Sequence, residues 1–339
     1  MLQPAKGSFR ENGPTLLVAF CSGFLVAALA GISSPTVEAA ESYPVRTVRM
    51  IVGPGPGSGT DVVARAIAQK LTERMKHTVI VENRPGAGGT IATDAVAKSA
   101  PDGHTLLFSS GSLVVTPWVY RKLPFDVVKD LDPIVLVGVV PQVLIVHPSV
   151  PAKNVRELIA LAKRLPGELA AGSGGIGTTG HLATELFQSS AGIHLTHVPY
   201  KGAGPAGTDL IAGNIVMLFT AVVHAQRLSR ARTVRLLGVT SLTRLKAMPE
   251  LPTLNESGVP GYEMGSWYGV LAASGTPRPV IERLNREFSG VLNLPDINER
   301  LKADSVELLM STPEEFGAFI KTQLERVGKI IRAAKIPQQ

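Results

Sequence analysis

Four stretches of this sequence concentrate glycine with hydroxyl side chains, a combination that lets a backbone turn its N–H groups toward an anion. The first is Gly53-Pro54-Gly55-Pro56-Gly57-Ser58-Gly59-Thr60-Asp61 and the second Arg84-Pro85-Gly86-Ala87-Gly88-Gly89-Thr90. The third is Gly172-Ser173-Gly174-Gly175-Ile176-Gly177-Thr178-Thr179-Gly180 and the fourth Pro199-Tyr200-Lys201-Gly202-Ala203-Gly204-Pro205. Glycine leaves no Cβ in a ligand's way. A helix that starts at the end of such a loop adds unpaired N–H groups and a partial positive charge, which favour an anion by roughly 0.3–1 kcal/mol when exposed. Ser58, Thr60, Thr90, Ser173, Thr178 and Thr179 supply hydroxyl donors. A carboxylate can be held this way with few charged side chains. Any one loop alone reads equally well as a tight turn with a Ser or Thr N-cap; recurrence in four loops favours a shared ligand.

Other chemistries fit less well. Gly53 to Gly59 lacks the spacing of a dinucleotide fingerprint, and no lysine follows in the pattern of a phosphate loop. Ala171-Gly172-Ser173-Gly174-Gly175 is a degenerate nucleophile elbow, so an exported serine hydrolase using Ser173 stands as a remote alternative. His194 and His197, three apart in a β-rich run, point to opposite faces of a strand and read as structural. No catalytic residue, metal or cofactor is expected.

The elements that must position these loops alternate. β-rich runs occur at residues 48–52, 78–81, 105–108, 143–146, 195–198, 215–219 and 234–239. Helical periodicity lies between them, as at residues 155–165, where Val155, Leu158, Ile159, Ala162 and Leu165 share a face and Pro166-Gly167 ends the helix. This is an α/β pattern, parallel sheet covered by helices, with ligand loops at the strand C-termini. Near the C-terminus Thr312, Pro313 and Glu315 spell a capping box, followed by Phe316, Phe319, Ile320 and Val327 on the face that should pack on the sheet.

At the N-terminus Lys6 and Arg10 precede an apolar run to Ile32 and the small residues of Val37-Glu38-Ala39. That order predicts a signal peptide over residues 1–39, cleaved after Ala39, and a periplasmic protein. Phe20 before Cys21 argues against lipidation. The chain's one cysteine leaves with that segment, so disulfide and thiol chemistry drop out. Lys6, Arg10, Glu11 and Glu38 cancel, so the formal charge of +7 stays with the mature chain. That balance suits anionic ligands; the basic residues are too scattered for nucleic acid.

Several segments also carry a resemblance. Gly55-Pro56-Gly57-Ser58-Gly59-Thr60-Asp61, Val81-Glu82-Asn83-Arg84-Pro85-Gly86-Ala87-Gly88-Gly89, Ala100-Pro101-Asp102-Gly103-His104-Thr105-Leu106-Leu107 and His197-Val198-Pro199-Tyr200-Lys201-Gly202 resemble the Bug family, the solute receptors of tripartite tricarboxylate transporters. The similarity runs in order through the mature chain to Thr312-Pro313-Glu314-Glu315-Phe316. It implies a two-lobed periplasmic-binding-protein fold, two Rossmann-like lobes joined by two crossover strands and closing over a ligand like a hinged trap. The crossings are expected near residues 143–147 and 267–271. Lobe one would combine residues 43–142 with 272–339, and lobe two residues 143–271.

The resemblance further implies mono-, di- or tricarboxylate ligands, including aromatic acids and acidic amino acids. Carried over residue by residue, it points to Gly57, Ser58, Thr60, Gly86, Ala87, Gly88, Ser110, Ser112, Ser173, Thr178, Thr179 and Lys201. Two departures matter: Pro54 stands where many members have an aromatic residue, and Thr220-Ala221 where many have Asp-Asn, followed by His224. Thr220 and His224 are therefore added as candidate contacts. The missing acid favours a plain carboxylate over an amino acid. Asp61 reads as a helix-capping acid, and Trp267 and Tyr268 either wall the cleft or pack the hinge, with hinge packing the default reading. Expected partners are membrane transporter subunits or, alternatively, a sensor protein, with the receptor itself a monomer.

Overall fold

The structure, a computed structural model, describes residues 43–333 together with 336 and 338. The expected signal segment and its cleavage point lie outside the described residues. The chain enters through β1 (Val48–Val52), and α1 (Gly59–Met75) returns it to β2 (Val79–Asn83), parallel to β1. A 3-10 turn at Ala87–Gly89 leads into α2 (Thr90–Ala97), and β3 (Thr105–Ser110) adds to the other side of β1, also parallel. After α3 (Ser112–Val119) comes β4 (Leu131–Val146), on which the architecture turns.

β4 is apolar at most of its positions, the composition of a strand covered on both faces. As far as Pro141 it pairs antiparallel with β9 (Gly265–Ala273); from Gln142 it pairs with β7 (Met217–Ala221) and β8 (Arg235–Val239). Pro141 has no N–H to donate and sits where one ladder ends and the next begins, a position that tolerates proline. The second half of the molecule follows as α4 (Val155–Arg164), β5 (Ala170–Ser173), α5 (Thr179–Ala191), β6 (Thr196–Pro199), α6 (Ala203–Ala212), β7, α7 (Val222–Arg230) and β8. Here β5 is parallel to both β6 and β7. Met264 N–H still donates to Thr240 in this half, at 3.0 Å, and β9 then returns the chain to the first, lying antiparallel between β3 and β4. There α8 (Arg278–Leu292), α9 (Pro295–Ala303), β10 (Glu307–Leu308), which pairs with β4, and α10 (Pro313–Ala333) complete it.

The continuous sheet path is β2-β1-β3-β9-β4-β7-β5-β6. Parallel pairing, the expectation from sequence, holds for β1 with β2 and β3 and for β5 with β6 and β7; every pairing made by β4, β9 and the short β10 is antiparallel. The partner changes at Pro141/Gln142 and Met264/Gly265 place both crossings a few residues before the expected 143–147 and 267–271.

The core forms where helices close on these strands. Phe108, Ile67 and Phe288 lie in one cluster of the first half, and Ile145, Leu218 and Leu210 in one of the second. α10 begins with the capping box in place: Thr312 N–H donates to Glu315 Oε2 at 2.8 Å and Glu315 N–H to Thr312 Oγ1 at 3.2 Å. Its Phe316 is fully buried over Gly269, where a Cβ would collide with the ring. Phe316 and Phe319 meet Trp267 edge to face, with centroids 5.5 and 5.9 Å away. Trp267 thus packs the scaffold; Tyr268, on the other face of β9, turns toward the cleft.

Candidate functional site

Between the halves lies a cavity of about 320 Å³. Six helices begin at its wall. The N-cap residues of five, Ser58 (α1), Gly89 (α2), Thr178 (α5), Gly202 (α6) and Ala221 (α7), all line it, as does Ser112, the first residue of α3. First-turn N–H groups have no partner within their own helix. Ser58 Oγ and Thr178 Oγ1 each satisfy one such group, accepting from Asp61 and His181 at 3.3 Å. The caps of α2, α6 and α7 form no side-chain hydrogen bond. Donors and dipoles therefore converge on one volume from both halves, an arrangement that favours an anion.

Of the residues marked from sequence, Ser58, Thr60, Gly86, Ala87, Gly88, Ser110, Ser112, Thr178, Thr179, Lys201 and Thr220 line the cavity. Three of the candidate contacts do not, each for a physical reason, and neither does Thr90, the buried hydroxyl named with the second loop. Gly57 N–H is spent on Asp61 Oδ2, at 2.9 Å. Ser173 is 0 % exposed: its Oγ accepts the Gly175 N–H at 3.1 Å and lies 2.6 Å from His197 Nε2, shaping the loop from behind. His224 is buried behind the wall, packed against Gly207, with Nδ1 2.9 Å from Thr220 Oγ1. It orients Thr220 and does not face the cavity.

Among the described residues, Lys201 is the one charged side chain on the lining, exposed in the loop before α6; no aspartate, glutamate or arginine lines it. Asp61 turns away, as its capping role predicts. Burial works against its charge, but hydrogen bonds from Arg65, Gly57 and Asn83 outweigh that and hold the carboxyl below the ordinary aspartate range. The same bonds brace the first glycine-rich loop, since Asn83 also donates to the Pro54 carbonyl at 3.0 Å.

Several lining residues carried no local signal: Tyr120, Gln142, Phe219 and Ser266 reach the cavity because of long-range register, and Tyr268, whose sequence allowed either cleft wall or hinge packing, lines it too. Gln142 opposes Ala221 and Tyr268 opposes Ser110. The halves touch around the rim. Tyr120 Oη donates to Ile176 O at 3.1 Å, Thr179 Oγ1 lies 3.4 Å from Ser266 Oγ, and Gly88 has no room for a Cβ beside Ile176 O.

Behind the second-half wall, His181, Glu185 and His197 bring one potential metal-ligating atom each within 4.8 Å of the others. The imidazoles, however, are stacked, centroids 4.4 Å apart and planes 28° inclined, so their in-plane lone pairs do not converge. His181 Nδ1 also accepts the Gly177 N–H, at 3.4 Å, which leaves the ring proton on Nε2 facing Glu185. The cluster is a hydrogen-bonded support. Ser173 and His197 make the contact a serine nucleophile needs, yet among the described residues no carboxylate hydrogen-bonds His197, and the hydroxyl is sealed from the cleft.

A two-lobed α/β trap whose cleft is built from helix N-termini is the architecture of a solute-binding receptor. Residues 63–336 match the TctC model, described as the tripartite tricarboxylate transporter family receptor, and the chain belongs to that family. It is 38% identical to the protein BugT of Bordetella pertussis over 307 residues, 90% of this chain and 94% of that one. Among solved structures, the R. palustris protein Rpa4515 with adipate superposes with a TM-score of 0.85 at 33% identity, covering 88% of this chain and all of the other. MatC of Rhodopseudomonas palustris, with bound malate, gives a TM-score of 0.80 at 28% identity, covering 85% of this chain and 100% of that one. The protein is a periplasmic solute-binding receptor of the TctC type, a binding protein and not an enzyme, which retires the hydrolase alternative.

Proposed function

We propose that this receptor captures a small carboxylate in the cleft and presents it to the membrane subunits of a tripartite tricarboxylate transporter. One observation carries the reading: the N-caps of five helices line a single cavity on which, among the described residues, no acidic side chain stands. The carboxylate sits among the first-turn N–H groups and the hydroxyls of Ser58, Thr60, Ser110, Thr178 and Thr179, with Lys201 closing on a second charge at the mouth. Adipate and malate in related structures support that ligand class. With Thr220 and Ala221 at the base of α7, an ammonium group finds no counter-charge, so a plain carboxylate is preferred over an amino acid. The chain works as a monomer, exported and cleaved after Ala39.

A thermal-shift screen of the mature protein, refolded to strip co-purified ligand, tests this. A matching carboxylate at a hundredfold excess over Kd stabilises by about 2.7 kcal/mol. Thr178→Trp, which fills the cleft, abolishes the shift. A flat response to mono-, di- and tricarboxylates, with a shift from sugars or cations, would overturn the anion site.

A further inference from the structure

In the loop from Ser173 to Gly180, Gly174–Ile176 and Thr178–Gly180 line the cleft and carry little side-chain bulk, so its shape depends on what stands behind it. What stands there is the stacked pair of His181, in α5, and His197, in β6. His181 Nδ1 takes the Gly177 N–H at 3.4 Å; His197 Nε2 meets Ser173 Oγ at 2.6 Å, and that oxygen takes the Gly175 N–H at 3.1 Å. Two points of the loop are thus tied to two imidazoles that share one face-to-face contact. Neither ring lines the cavity, so neither touches a ligand.

We propose that His181, braced by the stacked His197, is a positioning residue of the cleft, its Nδ1 holding this loop in its ligand-receiving shape only while that nitrogen is free of a proton. A protonated Nδ1 cannot accept the Gly177 N–H, and a charged ring stacked on a second buried imidazole loses the contact that holds both. The inference rests on the reading that the cleft binds the ligand.

The groups around the pair leave it neutral. Glu185, one turn along α5, is the only ion-pair contact of either ring among the described residues, at 3.8 Å from His181 Nε2. His194, before β6, bears on Glu185, and β5 brings only alanine, glycine and serine to the pair. From the first half the Tyr120 ring reaches Gly177, and burial keeps its hydroxyl protonated. Burial pushes both imidazoles down to about 4 from the ordinary 6.5, with His197 adding to the effect on His181.

Amide hydrogen exchange on the intact protein reads the loop whatever the ligand is. His181→Leu removes the acceptor; His181→Asn keeps an acceptor oxygen close to the Nδ1 position but cannot titrate. At pH 7 the Leu variant is expected to exchange the amides of residues 174–180 at least tenfold faster than wild type, and the Asn variant to restore protection. In the wild type, protection corrected for intrinsic rate falls as the pH drops from 6.5 toward 4, and in the Asn variant it stays level. Should His181→Leu fail to fold, Ser173→Ala cuts the other limb and is read in the same way. Wild-type protection in the Leu variant, or an unchanged pH response in the Asn variant, overturns the proposal. Adipate titration runs alongside: a tenfold or greater loss of affinity in Leu, recovered in Asn, supports it. Absence of adipate binding to the wild type counts against the ligand class alone, because the exchange arm still decides the positioning role.

Discussion

The Tyr120 hydroxyl donates to the carbonyl oxygen of Ile176 at 3.1 Å, joining the first half of the receptor to the second across the mouth of the cleft. In a hinged trap, a bond between the two halves at this point is made on closure and lost on opening. A hydrogen bond of this kind contributes about 0.5–1.5 kcal/mol net. Tyr120→Phe should therefore weaken ligand binding about two- to tenfold by calorimetry, mainly through faster release, while leaving the ligand-free protein as stable as before. Unchanged affinity would mean that the latch contributes nothing to closure.

Gly88 meets the same loop from the other side. Its φ is +65°, and a Cβ there would stand 2.6 Å from Ile176 O and 3.1 Å from Thr116 Cγ2. The left-handed backbone alone costs a larger residue about 1–2 kcal/mol. The close approach to Ile176 blocks closure as well. Gly88→Val should lose ligand-induced stabilisation altogether and scatter X-rays as a more extended particle with or without ligand; a ligand-dependent contraction in this variant would refute the closure argument.

What could be read ahead of the structure follows from how local each signal is. Glycine-rich turns opening helices are written in adjacent residues, and the capping of Ser58 on Asp61 and of Thr178 on His181 follows from neighbours three apart. The direction of a side chain is not so local. Ser173 and His224 are polar residues beside the cleft loops, yet one lies under its loop and the other behind β7, placements set by the strand face Ser173 occupies and the helix face His224 occupies. Gly57 was compatible with an open donor until Asp61, in the following turn, took its N–H. Tyr120, Gln142 and Tyr268 depend on strand pairing between residues far apart in sequence or on contact between halves. The length of β4 was hidden because Gly138 and Pro141 look like punctuation, whereas each fits where it stands: Gly138 because a Cβ would strike the Glu307 backbone, Pro141 because the ladder changes partner there.

Three histidines give the stability a defined pH response. Burial lowers His181, His197 and His224 from 6.5 to about 4, with lesser contributions from His197 on His181 and from Arg227 on His224. Above pH 6.5 folded and unfolded chains are both neutral at these sites and the stabilisation is fully present. Between 6.5 and about 4 only the unfolded chain takes up the protons, so stability falls as the pH falls; below about 4 the folded protein takes them too and this contribution to the slope ends. Glu185 and Asp304, whose carboxyl values burial raises, act in the opposite sense just above their ordinary range. Denaturant unfolding from pH 8 to 4 should show the decline beginning near 6.5. His224→Gln should lessen its slope by about 1.4 kcal/mol per pH unit, the share of one proton. An identical slope would show that His224 charges in the folded state.

α10 offers a control that separates scaffold from site. The capping box ties down its first turn, and Thr312→Ala should cost about 0.5–2 kcal/mol of unfolding free energy. Gly269→Ala forces a methyl group into the Phe316 ring, an overpacking worth about 1–3 kcal/mol unless the helix slides outward. Neither Thr312, Gly269 nor Phe316 lines the cavity, and Trp267 stands between this packing and the hinge. Both variants should lower the unfolding midpoint and bind the same carboxylate with unchanged affinity at 25 °C. A loss of affinity in Gly269→Ala alone would show that β9 transmits strain from the Phe316 side to Tyr268 on the cleft side, because the two residues sit next to each other on that strand.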